Sequence, residues 1–194
     1  MLEDATTKSW WRQVSGEAIT GELKGQQLPE VYSIQTSLAD WLQLNPNSLI
    51  MQADSNFIKS YDSTFKFESG ASKSKLTGTD SLSWKDKSWV IGVKAGKETK
   101  AYDWNQLKKE KLILDIIDAI PVLIVLSKND KSFFAFQRPN DNSAFSLSGD
   151  TLLFDNHKYR IDGKGIDTSF SLKPLPASQE FWHSWRTFNP GTLH

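Results

Sequence analysis

The hydrophobic pattern changes character along the chain. From Trp89 onward apolar residues fall in short runs bounded by turn residues, the spacing of β-strands. Trp89 to Lys94 and Glu98 to Tyr102 flank Ala95-Gly96-Lys97, which reads as a hairpin with glycine in its turn. Asp103 to Leu107 has the composition of one helical turn. Strands are expected at Lys111 to Ile117, Val122 to Leu126 and Ser132 to Gln137, separated by Asp118-Ala119-Ile120-Pro121 and by Ser127 to Lys131. Shorter ones follow at Ala144 to Leu147, Thr151 to Phe154 and Lys158 to Ile161. Val122-Leu123-Ile124-Val125-Leu126 does not alternate and should be a central strand buried on both faces. The turns are too short for parallel crossovers, so the sheet should be mainly antiparallel. Two segments instead carry helical periodicity. Leu38, Trp41 and Leu42 lie at i, i+3, i+4, and Phe181, Trp185 and Phe188 at i, i+4, i+7. The expected fold class is α+β and β-rich: mainly antiparallel sheets with short aromatic-faced helices.

The two helical segments belong to a repeat. Residues 41–49 and 185–193 both follow Trp-x-x-[Leu/Phe]-Asn-Pro-x-[Ser/Thr]-Leu. Upstream, Leu38 stands before Trp41 as Trp182 stands before Trp185, and Leu28-Pro29 and Leu175-Pro176 precede at similar distances. Trp11-Arg12 followed by Gly16 resembles Tyr159-Arg160 followed by Gly163. Asn45-Pro46 and Asn189-Pro190 should stop both helices, because a residue before proline is pushed out of the α region. Ser37 with Asp40, and Ser178 with Glu180, look like their starts. About 70 residues of strand-like sequence from Trp89 precede Tyr159, whereas only ten residues precede Trp11. The expected organisation is therefore the C-terminal part of an incomplete first unit over 1–53, a connector over 54–88, and a complete second unit over 89–194, packed as one body. In the connector, Phe57, Ile58, Tyr61, Phe65 and Phe67 suggest that the first half packs down, and Ser69 to Lys75 an exposed loop. An incomplete first unit predicts an exposed sheet edge near Trp10 and Trp11, a route to self-association.

Composition narrows the classes of function. Of 194 residues, 38% are hydrophobic and 24% charged, enough apolar material for a core. Twenty-three basic side chains balance twenty-three acidic ones, so the basic excess that drives nucleic-acid binding is missing. The longest apolar run, Ile120 to Leu126, is far short of the roughly 20 residues that span a bilayer as a helix. With no cysteine there is neither a disulfide nor a thiolate nucleophile.

Candidate chemistry is sparse. His157, His183 and His194 do not form a metal-spaced set. Asp115 and Asp118 would need a partner carboxylate in a cleft for acid–base work. No nucleophile elbow, phosphate loop or dinucleotide fingerprint is present, and no cofactor is implied. The most suggestive cluster is Trp10, Trp11, Arg12, Gln13 and Glu17. Adjacent tryptophans on a strand point to opposite faces. One should be core and the other nearer the surface, where beside Arg12 and Glu17 it could stack on a sugar or a peptide aromatic ring.

Gly92-Val93, Gly96, Lys100-Ala101-Tyr102 and Leu107 follow the G-V-x-x-G-x-x-[KR]-A-Y-x-x-x-x-L pattern of the DUF3179 family. Ser9 to Leu23 resembles the family's S-L-W-x-Q-x-x-G-x-A-I-x-G-x-L segment, and Trp182 to Leu193 is similar to its F-W-x-x-W-x-x-x-[HN]-P-x-[ST] segment. The resemblance implies a bacterial protein in an exported or cell-envelope setting. It also implies an N-terminally shortened member, because the C-P-x-C-like element of full-length members is missing. The family itself has no assigned activity. Two readings remain: a non-catalytic structural or binding domain, favoured by the lack of a nucleophile–base set, or a glycan- or peptide-binding module or enzyme with a cleft between the two units.

Overall fold

In a computed structural model, which describes residues 1–61, 79–167 and 169–194, thirteen strands form four small sheets, accompanied by three short α-helices. The strand ladders are all antiparallel.

At the front, β1 (Leu2–Glu3), β2 (Trp10–Arg12) and β3 (Glu17–Thr20) pair in the order β1-β2-β3. Helix α1 (Leu38–Leu44) and a 3-10 turn (Ser55–Ser60) follow. The larger part begins with the hairpin β4 (Trp89–Ala95) and β5 (Glu98–Asp103), then α2 (Trp104–Glu110). Next come β6 (Leu112–Ile117), β7 (Ile120–Leu126) and β8 (Phe133–Gln137), then the meander β9 (Ser146–Ser148), β10 (Thr151–Phe154) and β11 (His157–Arg160). The chain closes with β12 (Lys173–Pro174), β13 (Ala177–Phe181) and α3 (Trp182–Phe188).

β7 is the centre of the molecule. It lies between β6 and β8, and every side chain from Val122 to Leu126 is buried on one face or the other. Val122, Ile124 and Leu126 face Ile91, Val93 and Tyr102 of the sheet β13-β4-β5, with Leu107 of α2. Leu123 and Val125, with Phe134 and Phe136 of β8, face Leu152 and Tyr159 of the sheet β11-β10-β9. The outer face of β4 and β5, through Val90 and Ala101, carries Trp182 and Trp185 of α3. The layers are therefore meander, central sheet, β4 hairpin sheet and α3. Ile34 and Leu44 anchor the α1 region against the Leu123–Tyr159 cluster.

Several boundaries differ from the sequence expectation for local reasons. Asp118 and Ala119 both take positive φ (47° and 59°), the pattern of a two-residue type I′ hairpin turn. β6 and β7 therefore approach two residues closer than a four-residue turn would allow, and β7 starts at Ile120. Pro121 is accommodated because it stands at the start of the strand. Ser178 and Glu180 do not begin a helix: 177–181 is a strand paired to β4, and Phe181 caps α3 with no side-chain bond. Ser37 does cap α1, accepting from Asp40 N at 3.1 Å. In the 54–88 stretch Phe57, Ile58 and Tyr61 are exposed rather than packed, while Phe65, Phe67 and Ser69 to Lys75 lie outside the described residues.

Pattern reading overlooked Arg138. It is 5% exposed, and among the described residues its side chain bonds carbonyls, not carboxylates. Its guanidinium donates to four carbonyls: Val122 O (3.1 Å), Asp141 O (2.8 Å), Ser143 O (3.0 Å) and Asp115 O (3.0 Å). Arg138→Met would strand those carbonyls at the end of the central sheet. Its unfolding free energy should fall by about 2–4 kcal/mol, read from urea denaturation.

A groove between the front sheet and the terminal helix

The turn after β2 is built from the sequence upward. Gly16 has φ +70°, where L side chains are strained, and its N–H donates to Arg12 O at 2.8 Å. The Gly16 carbonyl then accepts from Leu28 N at 2.9 Å, folding residues 26–28 back onto the turn. On the far side the Gly92 backbone lies directly on the Trp185 indole, so that α3 sits close against β4. Between them is an open groove of 1460 Å³. Arg12, Gln13, Gln27, Glu30 and Tyr32 come from the front, and Lys94, Ala177, Ser178, Glu180 and Phe188 from the other wall. Lys94 Nζ reaches Glu30 at 3.2 Å across it, an exposed pair that holds little energy.

The suggested cluster is divided by this geometry. Arg12 and Gln13 line the groove, whereas Trp10, Trp11 and Glu17 do not. Arg12 Nη1 is 3.0 Å from Glu17 Oε2, directly across the β2–β3 ladder. Neither adjacent tryptophan is core: Trp10 is 40% exposed and Trp11 half-buried. The reason is a register shift between them, which breaks the strict alternation of faces, together with a front sheet too small to bury an indole. Ala18 and Ser9 are its buried centre. The open edge expected at Trp10 is also absent there, because β2 is the middle strand and is paired on both sides.

The repeated motif has one geometry in both places. Trp41 Nε1 donates to Ser48 Oγ at 2.9 Å and Trp185 Nε1 to Thr192 Oγ1 at 2.9 Å. Asn45 N bonds Trp41 O at 2.8 Å and Asn189 N bonds Trp185 O at 2.9 Å. The two asparagines also share a C-cap conformation, φ −136°, ψ 72° and φ −127°, ψ 69°. Upstream, the Leu172 N–H donates to Gly163 O at 2.9 Å just as Leu28 donates to Gly16. Leu172, not Leu175, therefore occupies the place of Leu28.

The titratable groups form structural pairs. Asp115 Oδ2 accepts from Tyr102 Oη at 2.8 Å and faces Lys100 Nζ at 2.7 Å. Burial raises the Asp115 carboxyl, but the bonds from Lys100, Ile116 N and Tyr102 outweigh it and hold the group below its usual value. Burial, then the bond to Asp115, pushes the Tyr102 phenol well up. Both shifts move away from neutrality, opposite to what a proton shuttle requires. Asp118 accepts from Lys97 N at 2.7 Å and braces the β4–β5 turn. The three histidines stay apart: His157 beside Asp167, His183 on Asp86 O, and His194 against Trp84 and Trp182. Among the described residues no group of three or more His, Asp or Glu is placed to hold a metal ion.

Because the folded state holds Tyr102 protonated, its contribution is complete below the phenol's ordinary pKa of about 10 and is lost as pH rises above it. Thermal melting should fall steeply above that pH, and Tyr102→Phe should flatten the fall.

Together, the fold and groove describe a β-rich α+β domain with paired aromatic helices and a surface cleft. A family model described as "Protein of unknown function (DUF3179)" matches residues 1–192, and the chain belongs to that family. Comparison with curated proteins and with solved structures gave no match. No helix among the described residues is long and apolar enough to cross a membrane.

Proposed function

We propose that the chain is a non-catalytic binding domain and that its groove takes an extended peptide added beside β13. The observation that carries this is the state of the β13 edge. Its inner side is fully paired to β4. The register, with Lys94 N bonded to Pro176 O at 3.0 Å, turns the N–H groups of Ala177, Gln179 and Phe181 outward. Of these, Gln179 N is met by the Gln35 side chain at 2.6 Å, and Ala177 lines the groove. An exposed strand edge beside apolar and mixed-charge walls suits main-chain pairing, with Arg12, Lys94, Glu30 and Glu180 selecting side chains. An enzyme in this cleft would need a nucleophile–base set, whereas the titratable side chains lining it are Arg12, Lys94, Glu30, Glu180 and Tyr32, and burial raises the Tyr32 phenol away from neutrality.

The test is a thermal-shift screen of extended hexapeptides and of a glycan panel. Peptides should raise the melting temperature by several degrees. Ala177→Pro removes one outward N–H while leaving the β4 ladder intact, and should abolish the shift. Gln35→Ala, which opens the edge at Gln179, should preserve or enlarge it. A shift produced by glycans alone, or one unchanged in Ala177→Pro, overturns the reading.

A further inference from the structure

The groove wall formed by β13 and α3 carries one charge that no cation among the described residues meets. Ser178 and Glu180 pair with Gly92 and Val90 across the β13–β4 ladder. Opposed residues of an antiparallel pair point to the same face, so both stand on the side of the sheet that α3 covers through Val90. There Ser178 Oγ donates to Glu180 Oε1 at 2.8 Å, and Ser184 Oγ of α3 donates to Glu180 Oε2 at 2.9 Å. All three residues line the groove. The half-buried carboxylate is thus fixed by two hydroxyls, with an acceptor position left on each oxygen. Of the other charged side chains in the groove, Lys94 is paired with Glu30 and Arg12 with Glu17. No ion pair among the described residues includes Glu180. Phe188, one turn beyond Ser184 on α3, is 49% exposed and lines the same wall.

We infer that Glu180 selects an arginine in the peptide that adds beside β13, an assignment that rests on the peptide-binding reading of the groove given above. An added strand sets every second side chain on the α3 face, and the one opposite Glu180 has its Cβ about 5 Å from that of Glu180. A guanidinium offers two parallel N–H groups to the two free acceptor positions, whereas a lysine ammonium meets the carboxylate as a point charge. The apolar stem of the arginine lies along Phe188 while its head stays at the carboxylate. Because the two serine hydroxyls hold Glu180 in place beforehand, little side-chain freedom is lost when the cation arrives.

The probes are two acetylated, amidated hexapeptides of alternating valine and threonine, with either arginine or its neutral isostere citrulline at one central position. Each is titrated calorimetrically into the intact protein at low salt. The arginine peptide should bind about tenfold tighter, with a lysine version between the two. The margin should shrink as salt is raised. Glu180→Gln should bring the arginine peptide down to the citrulline one and leave citrulline binding unchanged. The arginine–citrulline comparison alters only the peptide, so it holds whether or not that variant folds. If both peptides bind equally and Ala177→Pro abolishes both, the groove reading stands and the arginine assignment falls. If neither binds, both fall. A preference that survives in folded Glu180→Gln, or free arginine amide binding as tightly as the peptide, also overturns the inference.

Discussion

Gly92→Val should unfold the larger part of the molecule. The Gly92 backbone lies against the Trp185 indole, and a Cβ built there overlaps the ring atoms themselves. The glycine sits in the middle of β4, paired on both sides to Ser178 and Ala101, so the strand cannot move away without breaking two ladders. The indole cannot withdraw either. Trp185 is 2% exposed, and its Nε1 is held by Thr192. Overpacking in a core costs about 1–3 kcal/mol where neighbours can shift. Here they are fixed on three sides, and the cost should exceed that range, a large fraction of the roughly 5–15 kcal/mol that holds a domain together. Circular dichroism melts should show loss of the cooperative transition. A variant melting within a few degrees of the parent would show that α3 can slide on the sheet.

The second large effect is a contrast between two chemically identical truncations. Trp185→Ala removes a buried indole and leaves a cavity over Val90 and Ala101, at about 3–5 kcal/mol. Trp41→Ala removes an indole with the same hydrogen bond that is only partly buried, and should cost less, about 1–2 kcal/mol. Urea titrations of the pair measure the difference directly. Equal costs would mean that α1 is covered in solution as fully as α3.

These two predictions separate what was legible in the sequence from what was not. The run Val122 to Leu126 announced a strand buried on both faces, and β7 is that strand. The Asn-Pro motifs announced two helices that end alike, down to their C-caps. Burial at those helices was not legible, because periodicity records which face is apolar but not whether anything meets it. Ser178 and Glu180 looked like a helix start, since propensity near the chain is local, and the β4 edge that recruits 177–181 is about 85 residues distant. The candidate cluster split for a similar reason. Arg12 and Gln13 reach the groove through a turn fixed by Gly16, while the Trp10–Trp11 register shift has no local signature. Arg138 stayed hidden because a charged residue at a strand end normally reads as solvated.

The position of β13 has a consequence for synthesis. Strand β4 receives its second neighbour, and Gly92 its tryptophan, only from the segment 177–185. During translation the β4–β5 hairpin leaves the ribosome some 75 residues earlier. At ~5–20 residues per second that interval is on the order of ten seconds. Throughout it, one β4 edge and the apolar bed of α3 are open on the nascent chain. Emergence of 177–185, rather than of the central sheet, is thus the event that closes this domain, and slow translation over 104–176 would lengthen its exposure to chaperones and to pairing with other chains.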